Sequence, residues 1–175
     1  MRKSVRILIA LCVAGSMPAA ALASPLQDGA TAYSRGDYAE AMRILRPVAE
    51  QGDALAQMIV GGMYAKGSGV TEDDAEAVRW FRLSAGQGSA DGEGALGAAY
   101  QGGVGVTRDY SEALHWFGLA AAQGDLNSQY GLGLMYENGE VTPKDNSEAL
   151  RWYRLSAAQG DADAAKAVER LTQGN

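Results

Sequence analysis

Between residues 74 and 87, Ala77, Trp80, Phe81 and Ser84 fall at i, i+3, i+4 and i+7, with polar positions between them. That spacing draws one apolar stripe along an amphipathic helix. A shorter stripe precedes it at Val60, Gly61 and Tyr64. Both stripes recur at a shift of 36 residues: Leu96, Gly97 and Tyr100, then Leu132, Gly133 and Tyr136 on the first helix. On the second helix the series Ala77, Ala113, Ala149 keeps the same step, as do Trp80, Trp116, Trp152 and Phe81, Phe117, Tyr153. Gln51-Gly52, Gln87-Gly88, Gln123-Gly124 and Gln159-Gly160 close the register without an insertion. A fixed period of this length marks a repeat architecture. Three units follow, 53–88, 89–124 and 125–160, each a helix pair. First helices are expected over about 54–66, 90–102 and 126–138, and second helices over about 74–87, 110–123 and 146–159.

Polar residues between the stripes mark the starts and stops. Asp73…Glu76, Asp109…Glu112 and Asp145…Glu148 are D-x-x-E signatures of a helix N-terminus, and Asp37…Glu40 repeats the pattern upstream. The Asp accepts from free amides of the first turn, and the Glu is placed to reach back to the cap residue's own N–H. Losing such a cap costs ~1 kcal/mol. Gly52, Gly88, Gly124 and Gly160 suit the left-handed residue that ends a helix, and Asp53, Ser89, Asp125 and Asp161 cap the next one. Turns this short force neighbouring helices to pack antiparallel. Within each unit the connector is Gly67-Ser68-Gly69-Val70, Gly103-Val104-Gly105-Val106, or the variant Gly139-Glu140-Val141-Thr142, followed by Pro143. Residues 24–52 read as a shorter helix pair joined by Gly36-Asp37-Tyr38, and 161–175 as a final capping helix and tail.

The start of the chain breaks the pattern. Arg2, Lys3 and Arg6 precede an apolar run from Ile7 to Ala14, and Ala21-Leu22-Ala23 is a small-x-small site. Residues 1–23 therefore read as a secretory signal peptide cut after Ala23, and the protein as periplasmic or secreted. Cys12, the single cysteine, lies in the apolar run behind Leu11, so it does not fit a lipoprotein site. The expected mature chain has no cysteine and relies on packing alone. It also changes charge: the signal holds three of 15 basic and none of 21 acidic residues, leaving 12 against 21, a net −9. An acidic surface disfavours nucleic acid and anionic membrane; it permits a basic protein partner. No apolar segment in the mature chain reads as an integral membrane span.

The quoted residues resemble the Sel1-like repeat family, a branch of the tetratricopeptide-type helical repeats. Its pattern of L-G-x-x-Y, a G-x-G-V-x-x-D connector and A-x-x-W-[YF] runs nearly throughout units one and two, and departs in unit three at Val141-Thr142. The first helix pair is closer to the tetratricopeptide form. The resemblance implies an all-α, right-handed α-solenoid of antiparallel helix pairs. It further implies a non-enzymatic regulator or assembly adaptor that binds other proteins. Exported members of the family also include immunity proteins against secreted toxins, which is the alternative. A cysteine-rich branch is linked to β-lactam hydrolysis, but it carries a disulfide in each repeat. A cell-wall or β-lactam hydrolase is the remaining, weaker reading for this chain.

Catalytic chemistry finds little footing. His115, the only histidine, takes the helix position of Arg79 and Arg151, so it faces outward and has no co-ligands in register for a metal. No Cys–His pair or nucleophile elbow is present, and the glycine connectors lack the Lys-Ser/Thr of a phosphate loop. The aspartates are accounted for as caps. The reading is therefore no catalytic residue, no metal site and no cofactor.

In tetratricopeptide-type solenoids the first helices line the concave face. By that likeness the candidate partner-binding residues lie off the packing stripe: Leu55, Met58 and Ala65 in unit one; Asp91, Gly94 and Gln101 in unit two; Asn127, Tyr130, Leu134 and Glu137 in unit three. Met58, Tyr130 and Leu134 stand out as large apolar groups that either face a groove as anchors or pack against neighbouring helices.

Overall fold

Nine α-helices and no strand make up the described residues, 24–173, of the computed structural model. The expected signal peptide lies outside them. The helices are α1 (Pro25–Ser34), α2 (Tyr38–Glu50), α3 (Ala54–Lys66), α4 (Asp74–Ala85), α5 (Ala90–Gly102), α6 (Tyr110–Ala122), α7 (Leu126–Asn138), α8 (Asn146–Ala158) and α9 (Ala162–Gln173). Each packs mainly on its neighbour in sequence, the arrangement of an α-solenoid. The first helices start and end where the stripe pattern places them. The second helices end one or two residues early, because the turn before Gly88, Gly124 and Gly160 already opens at Gly86, Gln123 and Gln159.

No single core forms. Four successive clusters each join one helix pair to the next, centred on Leu45 and Val60, on Phe81 and Leu96, on Phe117 and Leu132, and on Tyr153 and Ala164. Within each pair the second-helix aromatic lies on a glycine of the first. A methyl group placed on Gly61 would lie 2.6 Å from the Phe81 ring, and one on Gly97 2.7 Å from Phe117; Gly133 sits under Tyr153 in the same way. The L-G pair thus supplies one buried leucine and one flat seat.

Side chains lock the pairs in register. Ser84 Oγ donates to the Ala54 carbonyl at 2.8 Å and Ser156 Oγ to Leu126 at 2.9 Å. Gln87 Nε2 donates to Gln57 Oε1 at 2.7 Å, and Gln159 Nε2 to Gln129 Oε1 at 2.9 Å. In the middle unit Gln123 Nε2 donates to a carboxylate instead, Glu93 Oε2, at 2.7 Å.

Second-helix capping differs in one respect from the sequence expectation. Asp73, Asp109 and Asp145 do accept first-turn amides, at 2.9 to 3.1 Å. The reciprocal bond from Glu is absent. The cap N–H groups donate instead to Tyr64, Tyr100 and Tyr136 carbonyls at 3.0, 3.0 and 2.9 Å. That staples the end of each connector to the preceding helix. The glutamates are thereby released: Glu76 and Glu148 accept from Arg79 and Arg151, and Glu112 from Trp116 Nε1.

The second connector glycine has a separate task. Gly69 and Gly105 take φ of +75° and +68°, and each lies against the backbone that opens the previous second helix, Tyr38 and Asp74. Val141 holds that place in unit three. A valine tolerates neither the left-handed φ nor the close approach, so the third connector follows a different path and leaves Val141 exposed.

Candidate functional site

One feature of the packing identifies the inner face. The first helices of neighbouring units touch: α5 meets both α3 and α7. The second helices make no contact of that extent with one another, so the stack closes on the first-helix side and opens on the other.

Along that inner side the units differ at a few register positions. Unit one carries Met58 and Gly62, and unit three carries Tyr130 and Leu134. Unit two carries Gly94 and Ala98. The central helix therefore contributes almost no side-chain height, while unit one rises at Met58 and unit three at both Tyr130 and Leu134. The result is a groove of about 420 Å³, floored by Gly94, Ala95, Ala98, Gly131 and the Phe117 ring and walled by Met58, Tyr130 and Leu134. The three walls are half-buried. Each packs on one side and lines the groove on the other: Met58 lies against the Phe81 cluster, and Tyr130 and Leu134 against the Tyr153 cluster. The Tyr130 and Tyr153 ring centroids are 5.5 Å apart.

One end of the groove is polar. Asp91, Asp125, Asn127 and Ser128 line it, and no basic residue does. Asp125 caps α7 through Oδ2, which accepts from the Asn127 and Ser128 amides at 3.1 and 3.3 Å. Its other oxygen, Oδ1, is turned to the α5 side, 3.6 Å from where a methyl group on Gly94 would stand. Ser128 Oγ is 2.9 Å from the same point; the residue is fully buried, yet this hydroxyl has no hydrogen-bond partner. Asp91 is exposed and forms no ion pair among the described residues. At the far end Gln101 Nε2 donates to Glu140 Oε2 at 3.0 Å, which ties the groove to the third connector.

Of the residues named from the sequence, Met58, Asp91, Gly94, Gln101, Asn127, Tyr130 and Leu134 come together in this groove. Leu55 does not; it is 48% exposed near the start of α3. Ala65 lines an adjoining apolar hollow of about 220 Å³, which shares Ala95 and Ala98 with the groove. Glu137 is engaged elsewhere. It accepts from Tyr153 Oη at 2.8 Å and from both Arg170 amines of α9, at 2.5 and 2.9 Å. Those bonds, Arg170 foremost, hold its carboxyl below the usual range, while burial and Glu137 push the Tyr153 phenol well above its own. Glu137 thus docks the last helix. Asp125, Ser128, Ala95 and Ala98 are groove residues that sequence reasoning missed. Comparing positions 58, 94 and 130 would have shown the drop from large to small in the middle unit, and 62, 98 and 134 the rise to a large residue in unit three.

His115 is exposed, with its ring edge-on to Trp116 at 5.1 Å. Where Arg79 and Arg151 engage Glu76 and Glu148, this histidine leaves Glu112 to the indole. Among the described residues no group of three or more His, Cys, Asp or Glu is placed to hold a metal, and no helix is long and apolar enough to cross a membrane.

The Sel1 repeat model matches residues 54–89, 90–125 and 126–161. Among solved structures, the chain is similar to c5321, a protective antigen of uropathogenic Escherichia coli strains with an SLR fold. The two share 36% identity over 84% of this chain and 32% of that one, with a TM-score of 0.76. It is also similar to a Sel1 repeat protein from Oxalobacter formigenes, at 31% identity over 86% of this chain and 62% of that one, TM-score 0.80. The chain thus spans about a third of the first and three fifths of the second. No curated protein matches the sequence.

Proposed function

Because the chain belongs to the Sel1 repeat family, whose members are generally protein-interaction modules, we propose that it is an exported, non-enzymatic regulator or assembly adaptor that holds a protein partner in its inner groove. The groove between Met58 and the Tyr130–Leu134 wall carries this reading. Half-buried aromatic and aliphatic groups around a small-residue floor form the kind of concave, mostly apolar surface in which binding energy concentrates. A segment laid along it buries apolar area at both walls. The acidic end and the expected net charge of the mature chain favour a basic partner. Export rests on the basic, apolar and small-x-small succession of residues 1–23.

The test is in-cell crosslinking of an epitope-tagged protein, with mass spectrometry of what it captures. One specific partner is expected from the wild type, and its loss from the Tyr130→Ala/Leu134→Ala double variant. A partner captured equally by both would place the interaction on another face. Capture of cytoplasmic proteins alone would count against export.

A further inference from the structure

We propose that the acidic end of the groove is a receptor for a single cationic side chain, an arginine or lysine of the protein partner. This rests on the groove being the partner site. It adds what the groove recognises there.

Polar capacity at this end of the groove is unmet. Asp125 commits Oδ2 to capping α7 and keeps Oδ1 for the groove. Ser128 Oγ lies beside it, fully buried and without a partner. A buried hydroxyl left unpaired is unfavourable, so a group that pairs with it recovers that cost. Asp91 faces the same space from the first turn of α5. The acceptors therefore come from two helices and converge on one volume, opened by the missing side chain of Gly94.

Charge fixes the sign of the ligand group. Two carboxylates line the groove and no cation does. The two cations that share a hollow with Tyr130 are committed: Lys166 to Asp163 at 2.9 Å and Arg170 to Glu137. The amino ends of α5 and α7 also point here, but each carries only about half a positive charge, against a full charge on each carboxylate. The balance stays negative. Shape then selects the side chain. Beyond the acceptors the floor is Ala95 and Ala98 with Phe117 beneath, an apolar track leading to Leu134. Arginine and lysine have the matching anatomy, an apolar stem and a charged donor head. A carboxylate partner is repelled, and a leucine leaves all the acceptors unpaired.

Selection of random dodecapeptides displayed on phage against the purified protein tests this directly. Enriched clones should share one Arg or Lys next to an apolar residue. The leading peptide should lose binding to Ala98→Trp, which fills the track from an exposed position; circular dichroism checks that this variant folds. Binding should fall at least tenfold to Asp91→Asn, and tenfold when citrulline, which keeps the shape and removes the charge, replaces the shared arginine. Groove-dependent clones with no shared basic residue, or a citrulline peptide that binds as well, would overturn the cation receptor while leaving the groove reading standing. Clones indifferent to Ala98→Trp, or no enriched clone at all, would overturn both.

Discussion

Glu93 stands where the flanking units have Gln57 and Gln129. Each glutamine donates through Nε2 to a carbonyl of the preceding helix, Ala49 at 3.1 Å and Ala121 at 3.3 Å, and accepts from the glutamine that ends its own unit. Glu93 accepts from Gln123 in the same way, but an ionised carboxylate has no proton for Ala85, the carbonyl at that register. Glu93 is only 4% exposed, and burial raises its pKa above the ordinary carboxylate value. A raised folded-state pKa means stability that is present at acid pH and lost as pH rises through that value. Glu93→Gln should therefore stabilise the protein at pH 7.5, by roughly 1 kcal/mol for one added hydrogen bond. The gain should shrink toward pH 4, as urea titrations at the two pH values would show. The glycine seats give the opposite sign. Gly97→Val drives a branched side chain into Phe117 and should cost about 1–3 kcal/mol in the same titration. The sequence shows both positions in register. It does not show that position 93 is buried, and so it hides what the exchange of Gln for Glu costs.

Helices are set by their punctuation, and here the punctuation was largely legible. First-helix limits coincide with the expected ones because Asp or Ser caps and left-handed glycines bound them on both sides. The cap N–H bonds were not legible, because their partners, the carbonyls of Tyr64, Tyr100 and Tyr136, lie across a loop whose closure no local pattern encodes. Helix α2 carries a further irregularity, the exposed Pro47 in its last turns. At the matching register α4, α6 and α8 have Leu83, Leu119 and Leu155. Proline inside a helix costs about 3 kcal/mol relative to a good former, offset in part by a stiffer unfolded chain. Pro47→Leu should therefore raise the unfolding free energy by about 1–2 kcal/mol, and slow hydrogen exchange in α2 ahead of the other helices.

For the molecule as a whole, the last helix decides whether the stack ends cleanly. α9 covers Ala149 and Tyr153 with Ala164 and Ala167, and its Arg170 neutralises Glu137. A chain stopped after Gly160 would expose that layer. It should unfold at lower urea, bind a hydrophobic dye and lose protection first in α7 and α8, whereas Arg170→Ala, which removes an exposed arginine and leaves Glu137 its bond from Tyr153, should cost only about 1 kcal/mol. The solenoid was legible from its period alone. The groove was not, because it depends on which helices turn inward and on three neighbouring heights, which no single unit contains. The strict 36-residue step between near-identical junctions also has a genetic consequence. An in-frame duplication or deletion of one repeat's worth of coding sequence restores the junction wherever its break points fall within the unit. Copy number can thus drift while the fold persists. The recognition surface is less forgiving: the low helix between two high ones is an attribute of neighbourhood, so doubling the middle unit would lengthen the track, and deleting it would bring Met58 against Tyr130 and erase it.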